Sequence, residues 1–132
     1  MRRFITSVGI VALGVSACAA PGSASVGTAD TTAARAQLVQ LEADAKALVR
    51  TDGCNASTQC RTAPVGAKGC GGPRLYFVYC AATTDSVALF RKLDELKAAE
   101  IRFNQSTNGV STCEFRTPPE VVADRGSCRA AP

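Results

Sequence analysis

The chain has 132 residues, 46% of them AVILMFWYC and 20% charged, with seven Cys, one Met, no Trp, no His and a formal net charge of +4. That length supports one small domain. The absence of His excludes a Ser-His-Asp or Cys-His relay and any His-ligated metal site.

At the N-terminus, Arg2 and Arg3 precede a 12-residue apolar run, residues 4–15, broken only by Thr6, Ser7, Gly9 and Gly14. A bilayer takes about 20 apolar residues to cross, so the run is expected to be an export signal. It closes on Val15-Ser16-Ala17-Cys18, which resembles the lipobox of bacterial lipoproteins. The resemblance implies that the Cys18 thiol receives a diacylglycerol and that cleavage of residues 1–17 makes Cys18 the first mature residue. Ordinary secretion after a small-residue cleavage site is the alternative. Ala19 in the next position implies outer-membrane sorting in a cell with two membranes. Loss of Arg2 and Arg3 leaves 13 basic against 11 acidic side chains, a net +2 that is no footprint for nucleic acid.

With Cys18 committed to lipid, six Cys remain: Cys54, Cys60, Cys70, Cys80, Cys113 and Cys128. The number is even, and an exported chain meets an oxidising compartment, so disulfides are expected. The intervening gaps of five, nine, nine, 32 and 14 residues contain no C-x2-C pair, so no metal and no cofactor is expected.

Residues 19–29 are almost entirely Ala, Gly, Ser, Pro and Thr and read as a flexible tether. The domain is expected to span 30–132. A first helix is predicted over residues 31–51, with Asp30 as N-cap, Leu38, Leu41, Ala45 and Leu48 on one face, and Gly53 as the stop. Its charges, Arg35, Glu42, Asp44, Lys46 and Arg50, read as a solvated face. Residues 58–65 form a weaker strand whose Pro64 suits an edge. Residues 75–80, Leu-Tyr-Phe-Val-Tyr-Cys, are apolar on both faces and read as a central or well-covered strand.

A second helix starts where Thr83, Thr84 and Asp85 offer capping oxygens and closes at Asn108-Gly109. Leu89, Leu93, Leu96 and Phe103 form its apolar stripe, widened by Val87, Phe90 and Ile101. Glu100 is assigned to the charged outer side with Arg91, Lys92, Asp94, Glu95, Lys97 and Arg102, where Asp94 and Lys97 can pair. Residues 111–117 alternate and read as a strand with Cys113 and Phe115 on one face. Residues 120–123 and 127–130 suit a final hairpin around Arg125-Gly126. Helix, strand, strand, helix, strand, strand points to an α+β fold: a small disulfide-stabilised domain with one short sheet of three to four strands packed with two helices. A β-α-β return past the second helix suggests pairing Cys80 with Cys113.

The segment Gly66-Ala67-Lys68-Gly69-Cys70-Gly71-Gly72-Pro73-Arg74 is the candidate binding loop, with Lys68, Gly69, Gly71, Gly72 and Arg74 as its binding residues. Its glycines can converge N–H groups on an anion. The P-loop spacing is absent, however, and a strand follows instead of a helix, so a tight, disulfide-pinned turn is the favoured reading. The Cys54-(5)-Cys60 spacing, this Cys-Gly-Gly-Pro loop with its aromatic strand, Thr84-Asp85, Gly109 to Cys113 and Gly126-Ser127-Cys128 resemble a family of small secreted or lipid-anchored bacterial proteins without an assigned activity. The resemblance covers roughly residues 50–128. This chain departs from that pattern in having Cys80 where Ser is usual and no further Cys near Asp124, so the family implies no pairing here.

Catalytic chemistry lacks a pattern. No C-x-x-C opens a helix, no S-x-x-K is present, and Glu114, Glu120 and Asp124 mark no pocket. A non-enzymatic, envelope-anchored binding or structural module is expected, monomeric, held to the membrane through Cys18 and facing a protein partner. The alternative is an inhibitor of a secreted hydrolase, a protease or lysozyme, with Lys68 or Arg74 as the anchor of the contact loop. An enzyme is the third reading.

Overall fold

The computed structural model describes residues 26–132; the expected signal peptide, Cys18 and residues 19–25 of the tether lie outside the described residues. The elements are α1 (Val26–Ala47), β1 (Cys60–Val65), β2 (Leu75–Cys80), α2 (Ser86–Thr107), β3 (Val121–Asp124) and β4 (Ser127–Ala130). The fold is α+β with two helices and is cross-linked by disulfides. The single sheet of three to four strands is corrected: the strands form two separate antiparallel hairpins, β1 with β2 and β3 with β4.

Helix α1 begins earlier than expected, so residues 26–29, assigned to the tether, form its first turn. There the Thr31 and Thr32 hydroxyls donate to the carbonyls of Gly27 and Thr28, at 2.5 and 2.9 Å. It also stops earlier, at Ala47, because Arg50 is already drawn elsewhere. The Arg50 N–H donates to Thr84 Oγ1 at 3.1 Å, and its carbonyl accepts from the Cys80 N–H at 2.7 Å. The predicted stripe faces the core, with Ala45 fully buried and Leu38, Leu41 and Leu48 packed around it.

Helix α2 matches its expected limits. Asp85 Oδ1 accepts from the Ala88 N–H at 3.0 Å, and Asn108 closes the helix with a left-handed φ of 48°. Leu89, Leu93 and Leu96 are buried against Ala63, Val65 and Tyr79 of the first hairpin and Ala45 of α1. Val87 points to solvent, and Phe90 and Ile101 lie half-exposed at the margin. This core is small, with few large side chains, which makes covalent cross-links valuable.

Among the described residues strand β2 has a neighbour on one side only, so it is a covered hairpin strand and not a central one. The connector at residues 50–54 draws the two hairpins together. Its Thr51 carbonyl accepts from the Cys128 N–H at 2.7 Å, and the Gly53 N–H donates to the Gly126 carbonyl at 2.8 Å.

The six cysteines among the described residues are all paired: Cys54 with Cys80, Cys60 with Cys128 and Cys70 with Cys113, at Cα separations of 5.7, 5.5 and 5.4 Å. The expected Cys80–Cys113 pair is therefore corrected. The register explains it: Cys60 faces Cys80 at one end of the first hairpin, and Val65 faces Leu75 at the other. Six strand residues rise about 20 Å, and Cys113 is bound at the far end, beyond Leu75, on the loop that carries Cys70. That tether also removes the strand expected at 111–117. Residues 109–120 cross the glycine loop without a backbone partner strand, and Tyr76 meets them through its side chain, donating its hydroxyl to the Arg116 carbonyl at 3.2 Å.

One charged group lies inside. Glu100, assigned to the outer side of α2, is only 6% exposed. Its carboxylate accepts from the Ala67 N–H through Oε2 and from Arg74 Nε at 2.7 Å through Oε1. The other arm of the Arg74 guanidinium reaches Glu42 of α1 at 2.5 Å, so Glu42 is not a purely solvated charge either. A single Arg thus ties α1, α2 and the start of β2. The hydrogen bond with Glu100, then that with Glu42, holds the Arg74 pKa above its ordinary value, against the effect of burial. A raised guanidinium pKa stabilises the fold at every pH below its unfolded value, so Arg74 adds no pH dependence in the physiological range. The surface pair on α2 is Lys92 with Glu95 at 2.7 Å, in place of Asp94 with Lys97.

Two outcomes follow from this arrangement. Glu100→Ala leaves the Ala67 N–H and the inner arm of Arg74 without acceptors and should cost about 2–4 kcal/mol in urea unfolding. That is less than for a fully buried pair, because Arg74 is about a third exposed and keeps Glu42; a cost within error of zero would contradict the assignment. Cys54, Cys60, Cys80 and Cys128 are at most 3% exposed, whereas Cys70 and Cys113 are exposed. Graded reduction with thiol alkylation should therefore label Cys70 and Cys113 first, with the other four appearing only as the domain unfolds. Early labelling of Cys54 or Cys128 would be the opposite result.

Candidate functional site

The glycine loop at residues 66–74 closes the first hairpin, and its glycines supply the backbone conformations that close it. Gly66, Gly71 and Gly72 take φ of 71°, 91° and 75°, all in the left-handed region. A Cβ on Gly66 would also run into the Glu100 carboxylate and Arg74 Nε, so the turn sits directly on the buried ion pair. Within the loop, the Lys68 N–H donates to the Gly72 carbonyl and the Gly71 N–H to the Lys68 carbonyl, both at 3.0 Å. The Arg74 N–H closes the hairpin on the Val65 carbonyl at 2.9 Å.

These bonds decide between the two readings of the loop. The amides of Ala67, Lys68, Cys70 and Gly71 are engaged, by Glu100, Gly72, Ser111 and Lys68 respectively. They do not converge on one point, and the loop is a pinned turn rather than an anion nest. The charges are committed as well. Lys68 Nζ donates to the Glu114 carbonyl, and Arg74 is held between Glu42 and Glu100. Both side chains are thus engaged within the domain.

The loop nevertheless frames a groove of about 470 Å³ against α2. Lys68, Gly69, Gly71 and Gly72 line it, whereas Arg74 does not. Phe90, Leu93 and Ile101 contribute the apolar side, and Asn104, Gln105 and Asn108 a row of side-chain amides along the helix's last turns. Asn104 also braces the site by donating to the Ala67 carbonyl at 3.0 Å. The loop residues were legible from their glycines. The helical wall was not singled out, although Phe90 and Ile101 stand beside the main stripe at positions that an apolar margin would occupy.

The remaining reactive groups are otherwise employed. Among the described residues, the Sγ atoms of Cys54, Cys60 and Cys128 come within 4.8 Å of one another, but each belongs to a disulfide. Asp124 pairs with Arg129 at 2.9 Å, and Glu114 and Glu120 are exposed. No family model, no curated protein and no solved structure matches this chain.

Proposed function

We propose that the protein is an exported, lipid-anchored and non-enzymatic binding module that presents the face between the glycine loop and α2 to a protein partner in the bacterial envelope. The anchor is a diacylglycerol on Cys18, and the mature chain is monomeric, on the outer membrane where two membranes exist. The reading keeps the resemblance to small lipid-anchored proteins with a Cys-Gly-Gly-Pro loop. Three disulfides are in keeping with an oxidising compartment outside the cytoplasm.

The observation that carries the reading is the bracing of the groove. Its loop wall is held by Glu100, by Asn104 and by the Cys70–Cys113 bridge, so a partner meets a surface already ordered. Such pre-organisation lowers the entropic cost of association. A peptide segment suits the chemistry: an apolar side chain can lie on Phe90 and Ile101 while its backbone meets the amides of Asn104, Gln105 and Asn108. The one buried carboxylate is occupied by Arg74 and the Ala67 N–H, which favours a binding role over a catalytic one.

Two measurements test this. Cys18→Ser should move the protein from the detergent phase to the aqueous phase, because the acyl chains supply about 0.8 kcal/mol per buried CH2; continued partition into detergent would refute the anchor. Chemical cross-linking in whole envelopes should join the wild-type chain to a discrete protein partner. Ile101→Glu, at a position already 40% exposed, should abolish that product while leaving the melting temperature unchanged. An unaltered pattern would remove the groove from the proposal.

A further inference from the structure

The longest irregular segment among the described residues, 109–120, carries the most exposed apolar side chains. Phe115 is 85% exposed and Val110 fully so. The segment contains no turn or bend, and every residue from 112 to 120 is exposed.

The backbone around Phe115 is nevertheless held at three points. Cys113 is bonded to Cys70, the Glu114 carbonyl accepts from Lys68 Nζ, and the Arg116 carbonyl accepts from the Tyr76 hydroxyl at 3.2 Å. In an extended chain successive backbone groups point to opposite edges. Anchoring the carbonyls of 114 and 116 on the domain therefore directs the N–H and C=O groups of 113, 115 and 117 outward. Among the described residues, none of these three has a backbone hydrogen bond. The result is a short extended segment, held at three points, with one free edge and an aromatic ring at its centre.

We infer that residues 113–117 are a substrate-like contact strand for a serine endopeptidase with an apolar specificity pocket, Phe115 filling that pocket. Such an enzyme binds its substrate as an extended chain, through main-chain hydrogen bonds at alternate residues and one side chain in a deep slot. Both requirements are met by the free edge at 113, 115 and 117 and by Phe115. The ties at 113, 114 and 116 fall on both sides of the peptide bond between Phe115 and Arg116, so the segment is held on each side of the position an active site would occupy. That favours inhibition over turnover. The inference rests on the reading of the chain as a binding module and adds a second contact surface, separate from the groove. It replaces Lys68 and Arg74 as contact anchors, since both are occupied within the domain.

The test uses the oxidised mature chain, extracted in detergent, against chymotrypsin, a subtilisin-type enzyme and trypsin, with small chromogenic peptides as reporters. Competitive inhibition of the first two at near-stoichiometric concentration is expected. Phe115→Ala should weaken it at least 100-fold, and Phe115→Lys should transfer it to trypsin; neither change should alter the melting temperature, because the residue is 85% exposed. Val87→Glu, at another exposed apolar position outside the groove, should leave inhibition intact. Absence of inhibition, inhibition indifferent to Phe115→Ala, or rapid cleavage between Phe115 and Arg116 would each overturn the inference. Loss of inhibition with the cross-linked envelope partner retained would remove the endopeptidase while leaving the binding-module reading in place.

Discussion

The Glu100 carboxylate is the group on which the arrangement of the domain most depends. A charge removed from water has to be compensated by direct partners, and Glu100 finds two, from different parts of the chain. One is the backbone of the glycine loop and the other is Arg74 at the foot of β2. Through Arg74 the same contact extends to Glu42, so both helices and the first hairpin are set relative to one another by one guanidinium. The apolar core alone is non-directional and could be filled with the helices in several rotational settings. A charged hydrogen-bond cluster accepts few of them.

The disulfides act on a different part of the problem. Cys54–Cys80 and Cys60–Cys128 lie side by side and join the connector, the first hairpin and the last one, forming a second, sulfur-rich core where there is little hydrocarbon. They close sequence separations of 26 and 68 residues, which by the loop-entropy argument contribute about 3.5 and about 4.4 kcal/mol respectively. Cys70–Cys113 sits on the surface and does not hold core together. It fixes segment 109–120 across the glycine loop.

How far this was legible in the sequence depends on whether a feature is local. The stripes of Leu38, Leu41, Ala45 and Leu48 and of Leu89, Leu93 and Leu96 locate the helices, and Asp85 and Asn108 mark the limits of α2, because periodicity and caps are written within a few residues. The even count of cysteines announces disulfides, but six of them allow 15 pairings, and the chosen one depends on a hairpin register that composition does not contain. Residues 111–117 mislead for a related reason. Alternation reports an extended chain, and it says nothing about whether another strand lies alongside.

Glu100 carried a signal that went unused. Positions 89, 93, 96 and 100 continue a single helical stripe at spacings of four, three and four, so a carboxylate there falls on the buried face and calls for a cation opposite. Arg74, next to the glycine loop, is that cation. The loop amide buried against Glu100 is the Ala67 N–H. Native-state hydrogen exchange should find it protected to nearly the extent of the α2 core amides, while the neighbouring Gly69 and Gly72 amides, which have no partner among the described residues, exchange freely. Exchange of Ala67 at the same rate as Gly69 would mean that the carboxylate does not hold the loop.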